Sequence, residues 1–378
     1  MLARGGAEEY HASTPYGVDE VAGAGKRMQA VRLDRMAQAP PKGDSRRAYL
    51  QSGDRSSMMM KRVLVSVAML FAVPLAHAQA TDFPSKPIRI IVPFNAGSGS
   101  DETSRVYGEI VSKMLGQTVI VENRPGASGL LAIQQVKAAP ADGHTLLLAS
   151  NSPMAVNPIV MKNLPYDPFK DFRPVHGLSV GPAAFVVRAD SPFKTMKDMV
   201  DAAQKEKRPL SVGNYSAGYQ LIGTWLGTAG KVDITPVAYK GGAQMVTDVM
   251  GGQLDTGVND FGGVAELIKA GKVRVLAITS DKRQPMFPDI PTMIESGFPD
   301  FESYVWASLF VLSGTPDAIV EKLSDAFNKA LTSPEGRAYQ ASRPGTPLVL
   351  KAKEMGEFHR KEFERFKRVA EAAGIQPQ

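Results

Sequence analysis

The feature that most constrains this chain is an alternation that starts at Phe83 and runs for about two hundred residues. Short apolar stretches at 88–92, 119–122, 145–149, 184–187, 210–213, 234–238, 256–258 and 273–279 read as strands. Helical patterns occupy 101–115, 128–138, 195–206, 218–229, 242–250 and 262–270. Strands separated by helices of this length form βαβ units, whose parallel sheets are covered on both faces. The expected fold class is therefore α/β. Two more helices close the chain. One spans 316–331, with Thr315 expected as its cap and Pro316 as its first residue, and the other runs from about Lys351 to Ala373 and stops at Gly374. A length of 378 residues favours two domains over one. No repeat of fixed period is present.

Open parallel sheets take ligands at the carboxyl ends of their strands, and two segments suit that position. The first is "IIVPFNAGSGSD", from Ile90 to Asp101, where a strand turns through glycines and serines into a helix. The second is "LSVGNYSAGYQ", from Leu210 to Gln220. A helix N-terminus offers free N–H groups and partial positive charge, so both loops are candidate anion sites. The first lacks the lysine of a Walker A loop. It also lacks the third glycine of a dinucleotide fingerprint, because Gly97-Ser98-Gly99 is followed by Ser100-Asp101-Glu102. Ser100 is expected near the cap, with Asp101 and Glu102 offsetting the dipole. What remains is a nest of donors suited to a carboxylate. A capping loop without ligand is an equally open reading when either loop is taken alone.

Catalytic groupings are scarce. There are no cysteines, which excludes thiolate chemistry and disulfides. Beyond residue 78 only His144, His176 and His359 remain, without metal-ligand spacing. His359 lies in a charged helix and is expected to be solvated, and the pairs Asp101-Glu102 and Glu362–Glu364 are read as solvated or capping charges. No nucleophile elbow occurs. No catalytic residue, metal ligand or cofactor is assigned.

Residues 58–80, "MMMKRVLVSVAMLFAVPLAHAQA", place a basic start before an apolar run and the small-residue pattern Ala76-His77-Ala78. That is a signal peptide, with cleavage expected after Ala78 and a periplasmic destination. Residues 1–57 are read as an extension upstream of the true start. Residues 1–78 hold 11 of the 44 basic and 7 of the 38 acidic residues, leaving 33 against 31. That balance gives no support for nucleic-acid binding.

Several longer motifs point to one family. "KPIRIIVPFNAGSGSDETSR", "LGQTVIVENRPGASG", "ADGHTLLLAS", "NLPYDPFKDFRPV", "YKGGAQMVTDV", "GKVRVLAITSDKR", "FPDIPTMIESGFPDFESYVW" and "SGTPDAIVEKL" occur in order. From Phe83 to Gly374 the chain resembles the tripartite tricarboxylate transporter substrate-binding proteins, also called Bug or TctC-like. The resemblance implies a type II periplasmic binding protein with two α/β lobes, mainly parallel sheets and a ligand cleft between them. It places lobe one at 83–182 plus 305–378 and lobe two at 183–304. It implies capture of a small organic carboxylate by lobe closure and delivery to integral membrane transporter subunits, by a monomer. A ligand-presenting partner of a receptor kinase, or an enzyme on the same scaffold, are the alternatives.

Residue by residue, the resemblance maps substrate binding onto Phe94, Asn95, Gly97, Ser98, Gly99 and Ser100 in the first loop. Ser150 and Asn151 border the same cleft, Asn214, Ser216, Ala217 and Gly218 form the second loop, and Asp260 faces the far end of the ligand. Ser98 stands where glycine is frequent. Asn214-Tyr215-Ser216 replaces a smaller loop, and "GYQL" lacks a histidine often found there. Neither loop carries lysine or arginine. Arg105 and Lys240 are the nearest basic candidates, and both are expected to be solvated.

Overall fold

The computed structural model describes residues 83–377. The expected upstream extension and signal peptide lie outside them. Ten strands form one continuous sheet in the order β2-β1-β3-β9-β4-β7-β5-β6, with β10 and β8 paired to β4. The first half contains β1 (Ile88–Val92), β2 (Val119–Asn123), β3 (Thr145–Ser150), β9 (Tyr304–Leu312) and β10 (Thr346–Pro347). The second half contains β5 (Leu210–Asn214), β6 (Ile234–Ala238), β7 (Thr256–Asp260) and β8 (Val273–Ile278). Each flank is parallel: β1 pairs with β2 and β3, and β5 with β6 and β7. The centre is antiparallel.

The centre is antiparallel because one long strand, β4 (Phe172–Arg188), serves both halves. Its first part, to Pro182, pairs with β9, and from Ala183 it pairs with β7 and β8. Sequence reading places a strand at 184–187, within a crossover near Gly181–Val187, and misses the stretch from Phe172 to Val180. The earlier part carries Pro174, Gly177, Gly181 and Pro182, and its ladder shifts register at Pro174/His176 and at Gly177/Ser179. Such bulges break the period-two signal that identifies strands.

Helices cover both faces. On the first half, α1 (Gly99–Leu115), α2 (Leu130–Lys137) and α7 (Asp317–Thr332) pack against the sheet. Tyr107, Ile110, Val111, Leu323 and Phe327 meet Ile88, Ile90 and Leu309 in one core. On the second half, α3 (Met196–Glu206) and α4 (Ala217–Gly230) cover one face with Met199, Val200, Ile222 and Leu226. The other face is covered by α5 (Gly242–Met250) and α6 (Phe261–Lys269) through Met245, Val249, Phe261 and Val264. Two more helices follow, α8 (Pro334–Ala341) and α9 (Ala352–Ala372). Pro316 proves to be the residue before α7 rather than its first member, with no side-chain cap.

Two expectations of solvation in α9 are corrected. His359 is buried, stacked on Phe169 with centroids 4.4 Å apart, and its Nε2 bonds the Met154 carbonyl at 2.8 Å. Glu362 is also buried, 3.6 Å from Arg365. Both belong to the inward stripe Met355, Phe358, His359, Glu362, Phe366 and Ala370, which recurs at helical spacing.

Gly143, just before β3, has a φ of +81°, and a Cβ there would lie 2.3 Å from Ile319 Cγ2 and 3.1 Å from Phe83 Cε2. Left-handed backbone and a filled site both oppose a side chain. Gly143→Ala is expected to cost about 2 kcal/mol, seen as a lower urea midpoint at unchanged m-value.

Candidate functional site

A cavity of about 80 Å³ lies where the two halves of the sheet meet. Its walls come from the loop entering α1, the turn after β3, the crossing segment Ser179–Gly181, the start of β9, and the α8–β10 connection. Tyr215, Tyr219, Asp260 and Gly262 complete it from the second half.

The first loop is built from the residue upward. Ser98 is the N-cap of α1, and its Oγ accepts from Asp101 N–H at 3.3 Å, so the cap is Ser98 and not Ser100. Asp101 is buried rather than solvated. It accepts from Gly97 N–H at 2.9 Å, from Asn123 Nδ2 at 2.9 Å and from Arg105. Burial pushes its carboxyl up, but these donors outweigh burial and hold it below the usual carboxylate range. Asp101 therefore braces the loop from behind. The first-turn N–H groups of Gly99 and Ser100 have no acceptor among the described residues, as expected at a helix start.

The other walls carry polar atoms with unmet bonding capacity. Ser150 Oγ and Trp306 Nε1 are buried without a hydrogen-bond partner among the described residues, and both residues line the cavity. Ser150 ends β3 opposite Ala307 of β9, which brings it beside Trp306. Buried groups of this kind are rare in native proteins, because each costs about 1–3 kcal/mol.

The second loop is placed differently. Ser152 Oγ accepts from Gly218 N–H at 3.0 Å and lies 2.8 Å from Ser216 Oγ, so the start of α4 is closed by a side chain from the first half. A Cβ on Gly218 would meet Ser152 Oγ and Asn151 Nδ2 at 2.8 Å each, and glycine permits this approach. Asn214 turns instead toward β6, its Nδ2 3.4 Å from the Val237 carbonyl. Asn214, Ser216, Ala217 and Gly218 are therefore not in the wall of this cavity. Ser216 lines a smaller neighbouring one with Pro93, Ser128 and Gly129. Tyr215 and Tyr219 form the wall instead, with rings 4.4 Å apart. Burial raises both phenols, so they remain protonated donors. Ser152→Ala would leave the Gly218 N–H unpaired and is expected to lower stability by about 1–2 kcal/mol, read as a drop in Tm.

Phe94, Ser98, Gly99, Ser100, Ser150, Asn151 and Asp260 all line the cavity. Asn95 and Gly97 line an adjoining opening that shares Ser98, Gly99, Tyr215 and Asp260 with it. Sequence reasoning missed Trp306, Tyr339 and Arg343. Arg343 corrects the expectation of a site without a basic side chain. It is ion-paired with Glu102, and its Nη1 donates to Tyr339 Oη at 2.9 Å. Burial lowers its pKa, but Tyr339, Glu102 and Asp260 outweigh it, so the guanidinium keeps its charge. Asp260 accepts from Gly263 N–H at 3.1 Å and caps α6. Burial raises its carboxyl, against the pull of Arg343. Among the described residues no three His, Asp or Glu side chains are placed to hold a metal, and no helix is long and apolar enough to cross a membrane.

The cavity is thus lined by serine hydroxyls, tyrosine side chains, Asp260 and Arg343, a set suited to a small polar molecule. Comparison with known proteins agrees. Residues 103–375 match the model of the tripartite tricarboxylate transporter family receptor, TctC. The chain belongs to this family. The Rhodopseudomonas palustris protein Rpa4515, solved with adipate, superposes at a TM-score of 0.75 with 30% identity, over 79% of this chain and 100% of its own. The periplasmic binding protein BugD superposes at 0.73 with 30% identity, over 78% of this chain and 100% of its own. MatC of Rhodopseudomonas palustris, with bound malate, gives 0.72 and 29%, over 76% and 99%. The TctC relatives are binding proteins, so this chain is a solute-binding protein of the Bug/TctC type and not an enzyme. Its α/β fold is that of the periplasmic solute-binding proteins.

Proposed function

We propose that this TctC-family protein works in the periplasm, captures a small organic carboxylate between two lobes and presents it to the membrane subunits of a tripartite transporter. The observation that carries the reading is that Ser150 and Trp306, each with a buried polar atom that lacks a partner among the described residues, line one cavity together with Gly99 and Ser100 at the start of α1. Hydrogen bonds to an ionised group contribute roughly 1.5–3 kcal/mol each. A few of them, less the cost of association, give an affinity near micromolar. The adipate and malate held by the solved relatives support a carboxylate. Size supports a small one: at roughly 10–15 Å³ per water-sized position, about 80 Å³ offers room for roughly five to eight.

The lobes proposed are 83–182 with 305–378, and 183–304. Support for a hinge comes from β4, which changes partners between Pro182 and Ala183, and from the return of the chain at Tyr304 opposite Pro182. A melting-temperature screen of four- to six-carbon mono- and dicarboxylic acids tests the reading. At least one acid is expected to raise Tm in a concentration-dependent way, as linkage requires. A flat response to every acid, with a rise for sugars or cations, would remove it.

A further inference from the structure

Two turns from opposite halves of the sheet touch over the opening beside the cavity. One follows β1 and carries Phe94 and Asn95; the other follows β6 and carries Gly241, the N-cap of α5. A Cβ built on Gly241 would strike the Asn95 amide, Nδ2 first and Cγ at 3.0 Å. Beside it, Phe94 meets Tyr215 of the second half edge-on, with ring centroids 6.2 Å apart. Gly241 is buried and Asn95 half-buried. Both line the opening of about 320 Å³ that adjoins the cavity.

The backbone does not ask for glycine at 241. Its φ of −172° and ψ of 162° are extended values that any residue adopts, and it caps α5 without a side-chain hydrogen bond. Ser, Thr, Asn or Asp would supply that bond. The close approach of Asn95 is what excludes a side chain. Asn95 is itself fixed to the site loop, because its carbonyl accepts from Ser98 N–H at 3.2 Å and Ser98 lines the cavity.

Strand order shows what this contact requires. β1 and β6 stand six spacings apart in the sheet, roughly 29 Å at about 4.8 Å per spacing. Their turns meet only because the two halves fold toward each other over the cavity. Two hydrogen bonds between the halves lie nearer the crossing strands. Ser152 Oγ, just beyond β3, accepts from Gly218 N–H, and Gln284 Oε1 accepts from Gly345 N–H at 3.1 Å, beside the β10–β4 pair. The Asn95–Gly241 contact is farther out and acts on a longer lever.

We propose that Asn95 and Gly241 are the two faces of a latch that keeps the halves closed over the cavity. The latch rests on the two-lobe reading above, and it gives Asn95 a partner in the protein rather than in the ligand.

Spin labels on Lys113→Cys and Lys205→Cys, both exposed and on opposite halves, are the only thiols in a chain without cysteine. The distance between them reads closure without any ligand. Gly241→Val is expected to wedge the halves apart, so that the distance distribution moves to longer values and broadens. Gly241→Ala gives a smaller shift in the same direction. Adding Asn95→Ala to either variant removes the amide that the new side chain strikes and brings the distribution back. Calorimetric titration with succinate, glutarate and adipate is the second arm. If Gly241→Val leaves about a tenth of the molecules able to close, every acid that binds weakens about tenfold, by the same factor. A distance distribution unchanged in folded Gly241→Val and Gly241→Ala, a shift that Asn95→Ala does not reverse, or a loss of affinity that differs from acid to acid overturns the latch. If none of the acids binds, the carboxylate reading falls, and the distances still decide the latch.

Discussion

Gly99→Val is expected to weaken carboxylate binding by at least about a hundredfold while leaving the folded structure intact. Gly99 opens α1 at the cavity wall, and its missing Cβ is the gap between Asp260 Oδ2 at 2.8 Å and Arg343 Nη2 at 3.1 Å. Valine puts two further methyl groups into a cavity of only about 80 Å³. An acid group can then no longer approach the N–H groups of Gly99 and Ser100. Losing two hydrogen bonds to an ionised group, at roughly 1.5–3 kcal/mol each, corresponds to two or more orders of magnitude in Kd. The fold survives because the atoms met are the ends of two side chains, not backbone. Titration calorimetry and circular dichroism on the same sample check both halves. An unchanged Kd in a folded variant would remove this wall from the binding site.

Acidification is expected to cost about 3 kcal/mol of stability through His359 alone. Its ring is enclosed by Phe169, Trp306 and Phe310, and Nε2 is committed to the Met154 carbonyl. Burial lowers its pKa from 6.5 to about 4, against the pull of that hydrogen bond. A depressed folded-state pKa means that the unfolded chain takes up the proton first. The stabilisation is therefore complete above about 6.5 and is lost as pH falls through about 4. The size follows from 1.36 kcal/mol per unit. His176 is buried as well and lowered in the same direction, adding to the loss. Between pH 6 and 5 the unfolding free energy should fall as the pH drops, and His359→Gln should reduce that slope by about one proton. Equal slopes for the two proteins would mean that His359 is not kept neutral by its surroundings.

Most of the fold could be read from periodicity. β1 and β6 have the bounds that alternation predicts, because each is a compact run with regular partners. β4 could not be read whole, since its role is to cross between halves and its glycines, prolines and bulges serve that crossing. His359 was legible in principle. It stands three or four residues from Met355, Glu362 and Phe363, on a stripe that includes Phe358 and Phe366, but the many charges of α9 masked the pattern.

The first loop could be read as a strand-to-helix turn because strand, glycine turn and helix follow one another directly. Arg343 could not, because it lies 241 residues beyond Glu102 in an aperiodic stretch, and only the packing of α8 against α1 brings them together. The second loop shows a different limit. Its glycine and serines do mark a helix start, but sequence does not reveal that Ser152 Oγ already fills it.

The most direct test follows backbone amide resonances during titration with an acid that raises Tm. The account predicts that Gly99, Ser100 and the indole N–H of Trp306 shift together and saturate at one equivalent. Saturable binding that leaves these three signals unmoved would contradict it.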